Sequence, residues 1–69
     1  MKINILISKN SWANSYKPEI KKILKQFSKK ISFKNNHKKT KKNTDINIVF
    51  SHFKKIENKY LKFSKFNII

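Results

Sequence analysis

Lys2-Ile3-Asn4-Ile5-Leu6-Ile7-Ser8 is the stretch of sequence that decides the fold. Its β-branched residues favour an extended backbone, since branched side chains pack well on a pleated surface. A nearly unbroken apolar run of this length is typical of a strand that is covered on both faces, as in parallel sheets. The stretch therefore predicts an α/β protein in which this segment is the first strand.

The next two segments predict a loop followed by a helix. Residues 9–16 are rich in Asn and Ser, which close turns by hydrogen bonding to the neighbouring backbone. An amphipathic helix is expected after them, because apolar residues recur at i, i+3, i+4 and i+7 behind Pro18. These apolar residues are Ile20, Ile23, Leu24 and Phe27.

The remainder of the chain continues the alternation of strands and helices. Ile31-Ser32-Phe33 predicts a second strand, and the basic residues 34–44 predict a surface connection. A third strand (Asp45 to Ser51), a short helix marked by Ile56, Tyr60 and Leu61, and a last strand (Phe66 to Ile69) are expected to follow. The order β-α-β, connection, β, short helix, β predicts a partial Rossmann-like parallel sheet of the α/β class with right-handed crossovers.

The predicted sheet also indicates where a ligand would bind. In open parallel sheets, ligands gather at the carboxyl ends of the strands. In this chain those ends are the segments from Ser8 onward and from Ser51 onward. The sheet is expected to be open at its C-terminal side, because the chain ends within an apolar strand. We expect the chain to be the opening segment of a larger domain.

Composition excludes several classes of site. The chain has 69 residues, a net charge of +15 and no cysteine, so thiol chemistry and cysteine-based zinc fingers are excluded. Its first apolar stretch is far shorter than the roughly 20 residues of a membrane span. We therefore expect a soluble, cytoplasmic chain with no membrane partner.

Two explanations of the high lysine content stay open. A charge of this size is typical of proteins that bind nucleic acid or an anionic membrane. However, Lys, Ile and Asn fill more than half of the chain and Arg is absent, which is the composition that an AT-rich genome imposes. The basic patch from His37 to Lys42 lacks interleaved aromatic residues for base stacking, so a solvated loop is favoured there.

The absence of glycine excludes both common phosphate-binding loops. Dinucleotide-binding fingerprints and P-loops need glycine so that the backbone can approach phosphate closely. The first loop instead offers short polar groups and one flat aromatic face. Its candidate substrate-binding residues are Asn10, Ser11 and Trp12. The structural alternative is helix capping by Ser15 and packing by Trp12.

Two blocks of sequence resemble a known family. The first strand followed by Asn10-Ser11-Trp12 looks like the opening of the folate-dependent formyltransferases, which include sugar N-formyltransferases and methionyl-tRNA formyltransferases. The block from Asp45 to Ile56, followed by Tyr60-Leu61 and Phe66-Asn67-Ile68-Ile69, is similar to the family's strand, folate-contacting turn, short helix and next strand. The resemblance implies that residues 1–69 are the N-terminal part of a formyltransferase catalytic domain.

The resemblance implies a reaction and a set of contacts. The reaction is transfer of a formyl group from 10-formyltetrahydrofolate to a primary amine, here on a nucleotide-linked amino sugar, without a metal. By position, the folate-contacting turn falls on His52, Phe53, Lys54 and Ile56. An alternative is that Phe53 and Ile56 are core residues.

The family's catalytic residues do not map onto this sequence. The family uses an Asn, a His two residues later and a downstream Asp. If Asn67 were that Asn, the His would stand at the position of Ile69. His37 and His52 have no carboxylate near them in the sequence and are expected to be polar surface residues. We therefore assign no catalytic residue and expect the chain to be inactive alone.

Two other classes of function remain as alternatives. In the first alternative, the chain is a small lysine-rich protein that binds nucleic acid without sequence preference. Its affinity would then fall steeply with salt. The other alternative is a truncated gene product of marginal stability that pairs through an unfinished sheet edge.

Overall fold

A computed structural model describes residues 1–69 and contains one four-stranded parallel sheet. The strands lie in the spatial order β2-β1-β3-β4 and comprise Lys2–Ile7 (β1), Lys30–Lys34 (β2), Thr44–Ser51 (β3) and Ser64–Ile68 (β4). Two α-helices accompany them, Lys17–Leu24 (α1) and Asn58–Leu61 (α2), together with 3₁₀ turns at Trp12–Tyr16 and His37–Lys39. None of the helices has the length and apolar character needed to cross a membrane. The predicted α/β class and order of elements are confirmed.

The apolar residues of β1 form the centre of the core. Ile3, Ile5 and Ile7 are buried and cluster with Ala13 from the turn that follows. Ile3 and Ile5 have apolar neighbours in register on both β2 and β3, and α1 packs against the same cluster with Ile20 and Leu24. A strand with neighbours on both sides and a helix above it loses nearly all contact with water, as its sequence predicts.

Helix α1 is shorter than its apolar spacing predicted. The helix ends at Leu24, and the chain then turns through i to i+3 hydrogen bonds from the N–H groups of Gln26 and Phe27. Phe27 therefore lies beyond the helix and is exposed. The turn is held by Ser28, whose hydroxyl donates to the Met1 carbonyl and accepts from the Lys30 N–H, so that β2 starts level with β1.

The opposite face of the sheet carries a row of polar side chains. The amide of Asn4 donates to Asn47 Oδ1 at 2.9 Å, and the amide of Asn47 donates to Asn67 Oδ1 at 3.1 Å. On the other side, Ser32 Oγ donates to Asn4 Oδ1 at 3.3 Å. These four residues occupy paired positions on four adjacent strands, and we call them the asparagine ladder.

The connection at residues 34–44 is more buried than predicted. It forms a 3₁₀ turn and buries three side chains: His37, Thr40 and Thr44. Thr40 Oγ1 lies 3.4 Å from the amide nitrogen of Asn4. The segment is therefore not only a solvated connection, because it covers part of the polar face of the sheet.

Three other elements also differ from the prediction. Residues 12–16 form a 3₁₀ turn within the expected loop, while α2 contains Tyr60 and Leu61 but starts after Ile56. β4 begins at Ser64 and ends at Ile68, so that Ile69 lies outside it. Boundaries of short elements depend on caps and tertiary contacts, which apolar spacing does not record.

Candidate functional site at the carboxyl edge of β1 and β3

The candidate site lies where the carboxyl ends of the two central strands meet. β1 connects through α1 to β2 on one side, whereas β3 lies on the other side of β1. After β1 the chain passes toward the β2 edge of the sheet, whereas after β3 it passes toward the β4 edge. In open α/β sheets a crevice forms at such a switch point and is the usual place for a ligand. The segments that follow Ile7 and Ser51, which the sequence identified as strand ends, meet there.

A bulge in β3 shapes this edge. Leu6 pairs with Val49, but Ile7 pairs with Ser51, so Phe50 is an extra residue in β3. The shift brings Ser51 level with the end of β1, where its carbonyl accepts from the Ser8 N–H at 2.6 Å. Bulges of this kind change the direction of a side chain at a strand end.

Side chains hold the glycine-free turn after β1. The amide of Asn14 donates to three carbonyls, those of Ser8, Lys9 and Ser11, at 2.8, 3.0 and 3.0 Å. Ser11 caps the 3₁₀ turn by accepting from the Ala13 N–H at 3.1 Å. The predicted cap of α1 by Ser15 is wrong, because Tyr16 is at the N-cap position without a side-chain hydrogen bond and the Ser15 hydroxyl donates to the Trp12 carbonyl. Sequence reasoning missed Asn14, although the Asn-rich composition of the loop was a signal for such bonding.

Ser8 connects the two turns. Its hydroxyl oxygen accepts from the Phe53 N–H at 2.9 Å and lies 3.4 Å from His52 Nδ1. A second link joins Ser11 Oγ to Ser51 Oγ at 2.6 Å. Because both links run from the β1 turn to the β3 turn, the backbone after β3 is held in one position relative to the first loop.

His52 and His37 extend this network. His37 Nδ1 lies 2.9 Å from His52 Nε2, and the two rings meet edge to face. If Ser8 donates to His52 Nδ1, the proton on His52 Nε2 is donated to His37. In the opposite arrangement, His37 donates to His52 and His52 donates to Ser8. The chain of three groups therefore has two proton arrangements with the same contacts.

The pKa of His52 lies below its ordinary value of 6.5. Burial is the main cause, because the protonated ring loses solvation, and the charges of His37 and Lys54 add to it. His52 is therefore neutral at pH 7 and keeps one unprotonated nitrogen.

His37 is a buried residue, and its prediction as polar surface is wrong. It is 3% exposed, and its ring packs edge to face against Tyr60 from α2. Its Nε2 is buried without a hydrogen-bond partner in the chain. His37, His52 and Tyr60 are far apart in sequence, so no local pattern could have indicated the cluster. No three His, Cys, Asp or Glu side chains come together anywhere in the chain to form a metal centre.

An open cleft of about 260 Å³ lies beside the Ser8 network. It brings together four of the residues predicted from the sequence: Asn10 from the first turn and His52, Phe53 and Lys54 from the second. Three further lining residues were not predicted: Ser8, Lys9 and Asn35. One predicted substrate residue and three predicted folate residues therefore share one cleft.

The other predicted site residues lie elsewhere. Ser11 is buried and its hydroxyl is used by Ala13 and Ser51. Trp12 is exposed and packs against Tyr16 and Phe50, as in the structural alternative. Ile56 is half-buried and does not line the cleft. Their contacts to a ligand remain predictions, and the geometry gives no separate reason for them.

Asn67 has a structural role in the sheet. Its oxygen accepts from Asn47 at 3.1 Å and its amide donates to the Leu61 carbonyl at 2.8 Å. Both ends of the side chain are therefore engaged, and we assign no catalytic residue. Comparisons with protein-family models, curated proteins and solved structures return no match.

Proposed function

We propose that the cleft at the carboxyl edge belongs to a folate-dependent formyltransferase, which transfers a formyl group from 10-formyltetrahydrofolate to a primary amine on a nucleotide-linked amino sugar. The observation that carries the proposal is the shared cleft, since Asn10 from the first turn and His52, Phe53 and Lys54 from the second line it together. These are the two turns in which the family resemblance lies. A cytoplasmic location is part of the same proposal.

The side chains of the cleft match the chemistry of a folate. Phe53 is 68% exposed and offers a flat face to the pterin ring. The amides of Asn10 and Asn35 both donate and accept hydrogen bonds, as do the edges of that ring. Lys9 and Lys54 carry positive charge for the carboxylates of the folate tail. When bound, the folate supplies an activated formyl group.

The contribution of this chain is to hold the cleft in shape. Ser8 binds the Phe53 N–H, so the backbone of the β3 turn is positioned before any ligand arrives. Such preorganisation lowers the entropy cost of binding. Because no catalytic residue is assigned here, binding is the property that tests the proposal.

The test is thermal unfolding of the 69-residue chain with 5-formyltetrahydrofolate, a non-reactive analogue. At about 100 times its Kd, the analogue should stabilise the chain by about 2.7 kcal/mol. For a domain of this size, each kcal/mol raises Tm by about 4–8 °C. The expected result is a saturable rise in Tm, and no rise at saturating analogue would contradict the proposal.

Two matched substitutions locate the binding site. Phe53→Ala should remove most of the stabilisation by the analogue, because it removes the stacking surface. Phe27→Ala is the control, since Phe27 is 66% exposed, close to the 68% of Phe53, but lies after α1 and outside the cleft. Equal loss in both variants would show that the analogue binds exposed aromatic residues in general.

A further inference from the structure

A second concave site lies on the polar face of the sheet. It is an open groove of about 250 Å³ above β1 and β2, and it shares no lining residue with the folate cleft. Four lysines line it, Lys2, Lys30, Lys34 and Lys41, and we call it the lysine groove. Lys2 and Lys30 stand side by side in the register of the two strands.

The lysines of the groove have no counter-charge in the protein. No Asp or Glu lines the groove. The chain has three acidic residues in all, and Asp45 is engaged by Lys65 at 3.5 Å and by the Lys2 N–H at 2.7 Å. Like charges on directly paired strand positions destabilise a sheet. An anion bound among the four ammonium groups would remove this repulsion.

The neutral groups of the groove are already paired. Ser32 Oγ donates to Asn4 Oδ1, and Thr44 Oγ1 donates to the Lys41 carbonyl. Recognition would therefore depend on the lysines, which act as compact point charges and bind phosphate through charge-assisted hydrogen bonds. A groove of this volume suits a small, multiply charged anion.

We propose that the lysine groove binds a diphosphate group of a small molecule. Binding would draw the ammonium groups of β1, β2 and the connection toward one anion. Since the groove and the folate cleft share no residue, the inference does not depend on the proposed function.

The test is calorimetric titration of the 69-residue chain with pyrophosphate, with sulfate at equal ionic strength as the reference anion. The expected result is saturable binding of pyrophosphate that exceeds binding of sulfate. The double substitution Lys30→Gln and Lys34→Gln should weaken pyrophosphate binding by about tenfold or more, as expected for the loss of charge-assisted hydrogen bonds.

The control is the double substitution of two exposed lysines, Lys21→Gln in α1 and Lys25→Gln directly after it, which changes net charge equally. It should raise the Kd for pyrophosphate by less than about twofold, compared with the tenfold or greater rise in the groove variant. If the variant in β2 does not fold, Lys41→Gln in the connection replaces it, with the exposed neighbour Lys38→Gln as its control.

Equal losses in the groove variant and its control would overturn the proposal, since they would show attraction to net charge alone. Tighter binding of a short oligouridylate, reduced equally by both variants, would also overturn it in favour of nonspecific nucleic-acid binding. A loss confined to the groove variant would support the diphosphate site.

Discussion

Ser8 and His52 show how a residue acquires its role from neighbours that are distant in sequence. His52 is near Ser8 because their strands are adjacent, and near His37 because the β2 to β3 connection folds over the polar face. The sequence identified Ser8 and Ser51 as strand ends but could not indicate that they meet. Burial and neighbouring charge, which are tertiary properties, then lower the pKa of His52.

This lowered pKa predicts a dependence of stability on pH. The folded chain keeps His52 neutral at a pH where the unfolded chain protonates it, so the unfolded state binds more protons. The free energy of unfolding should therefore increase with pH from the folded pKa of His52 up to its ordinary value of 6.5. His52→Gln should reduce this slope, because Gln keeps hydrogen-bonding groups but does not titrate.

The measurement is urea unfolding of both proteins at several pH values between about 5 and about 7.5, the range in which histidine titrates. The other groups near His52 are His37, Lys54 and Ser8, and all of them are retained in the variant. Glu57→Gln, which removes an exposed titratable group before α2, is the control. An unchanged slope in His52→Gln would show that His52 does not cause it.

At the scale of elements, β3 combines two functions. Its asparagine, Asn47, belongs to the ladder that joins all four strands, while its bulge at Phe50 shapes the functional edge. The sequence indicated a strand from Asp45 to Ser51. It did not indicate that the polar face would be buried, because that depends on the residues that cover it.

Asn47 is expected to be the most sensitive member of the ladder, since it is 2% exposed and bonded on both sides. Asn47→Ala leaves the amide of Asn4 and the oxygen of Asn67 without these partners. Asn4 is buried whereas Asn67 is exposed to water, so one buried group loses a partner, and we expect a loss of about 1–3 kcal/mol in the free energy of unfolding.

Urea unfolding would measure this loss. The dependence of the free energy of unfolding on urea concentration should be the same in both proteins, so that the shift in midpoint reports stability. Asn43→Ala is the matched control, because Asn43 is exposed in the turn before β3 and should change stability by less than about 0.5 kcal/mol. Similar effects of the two substitutions would contradict an energetic role for the ladder.

At the scale of the whole molecule, the two faces of the sheet are covered unequally. Helix α1 packs over β1, but the apolar residues of β3 and β4 on the same face remain largely exposed. They include Phe50, Phe66 and Ile68, which are 46%, 68% and 55% exposed. An exposed apolar patch of this kind is unusual for a monomeric protein.

This patch should bind an uncharged apolar dye while the chain is folded. Nile red is suitable because, unlike an anionic dye, it is not attracted by lysine. The double substitution Phe66→Gln and Ile68→Gln should reduce Nile red fluorescence clearly, since it removes apolar surface from β4. Phe53→Gln, an equally exposed aromatic residue at the cleft, should reduce it much less. Equal reductions would show that no continuous patch binds the dye.

The sequence by itself determined the α/β class, the order of the elements and which segments follow the carboxyl ends of the strands. It could do so because strand and helix formation depend on local apolar spacing and turn chemistry. Only the tertiary structure decided the strand order β2-β1-β3-β4, the burial of His37 and the contact between Ser8 and His52. These features depend on which distant segments become neighbours, and spacing along the chain carries no information about such pairings.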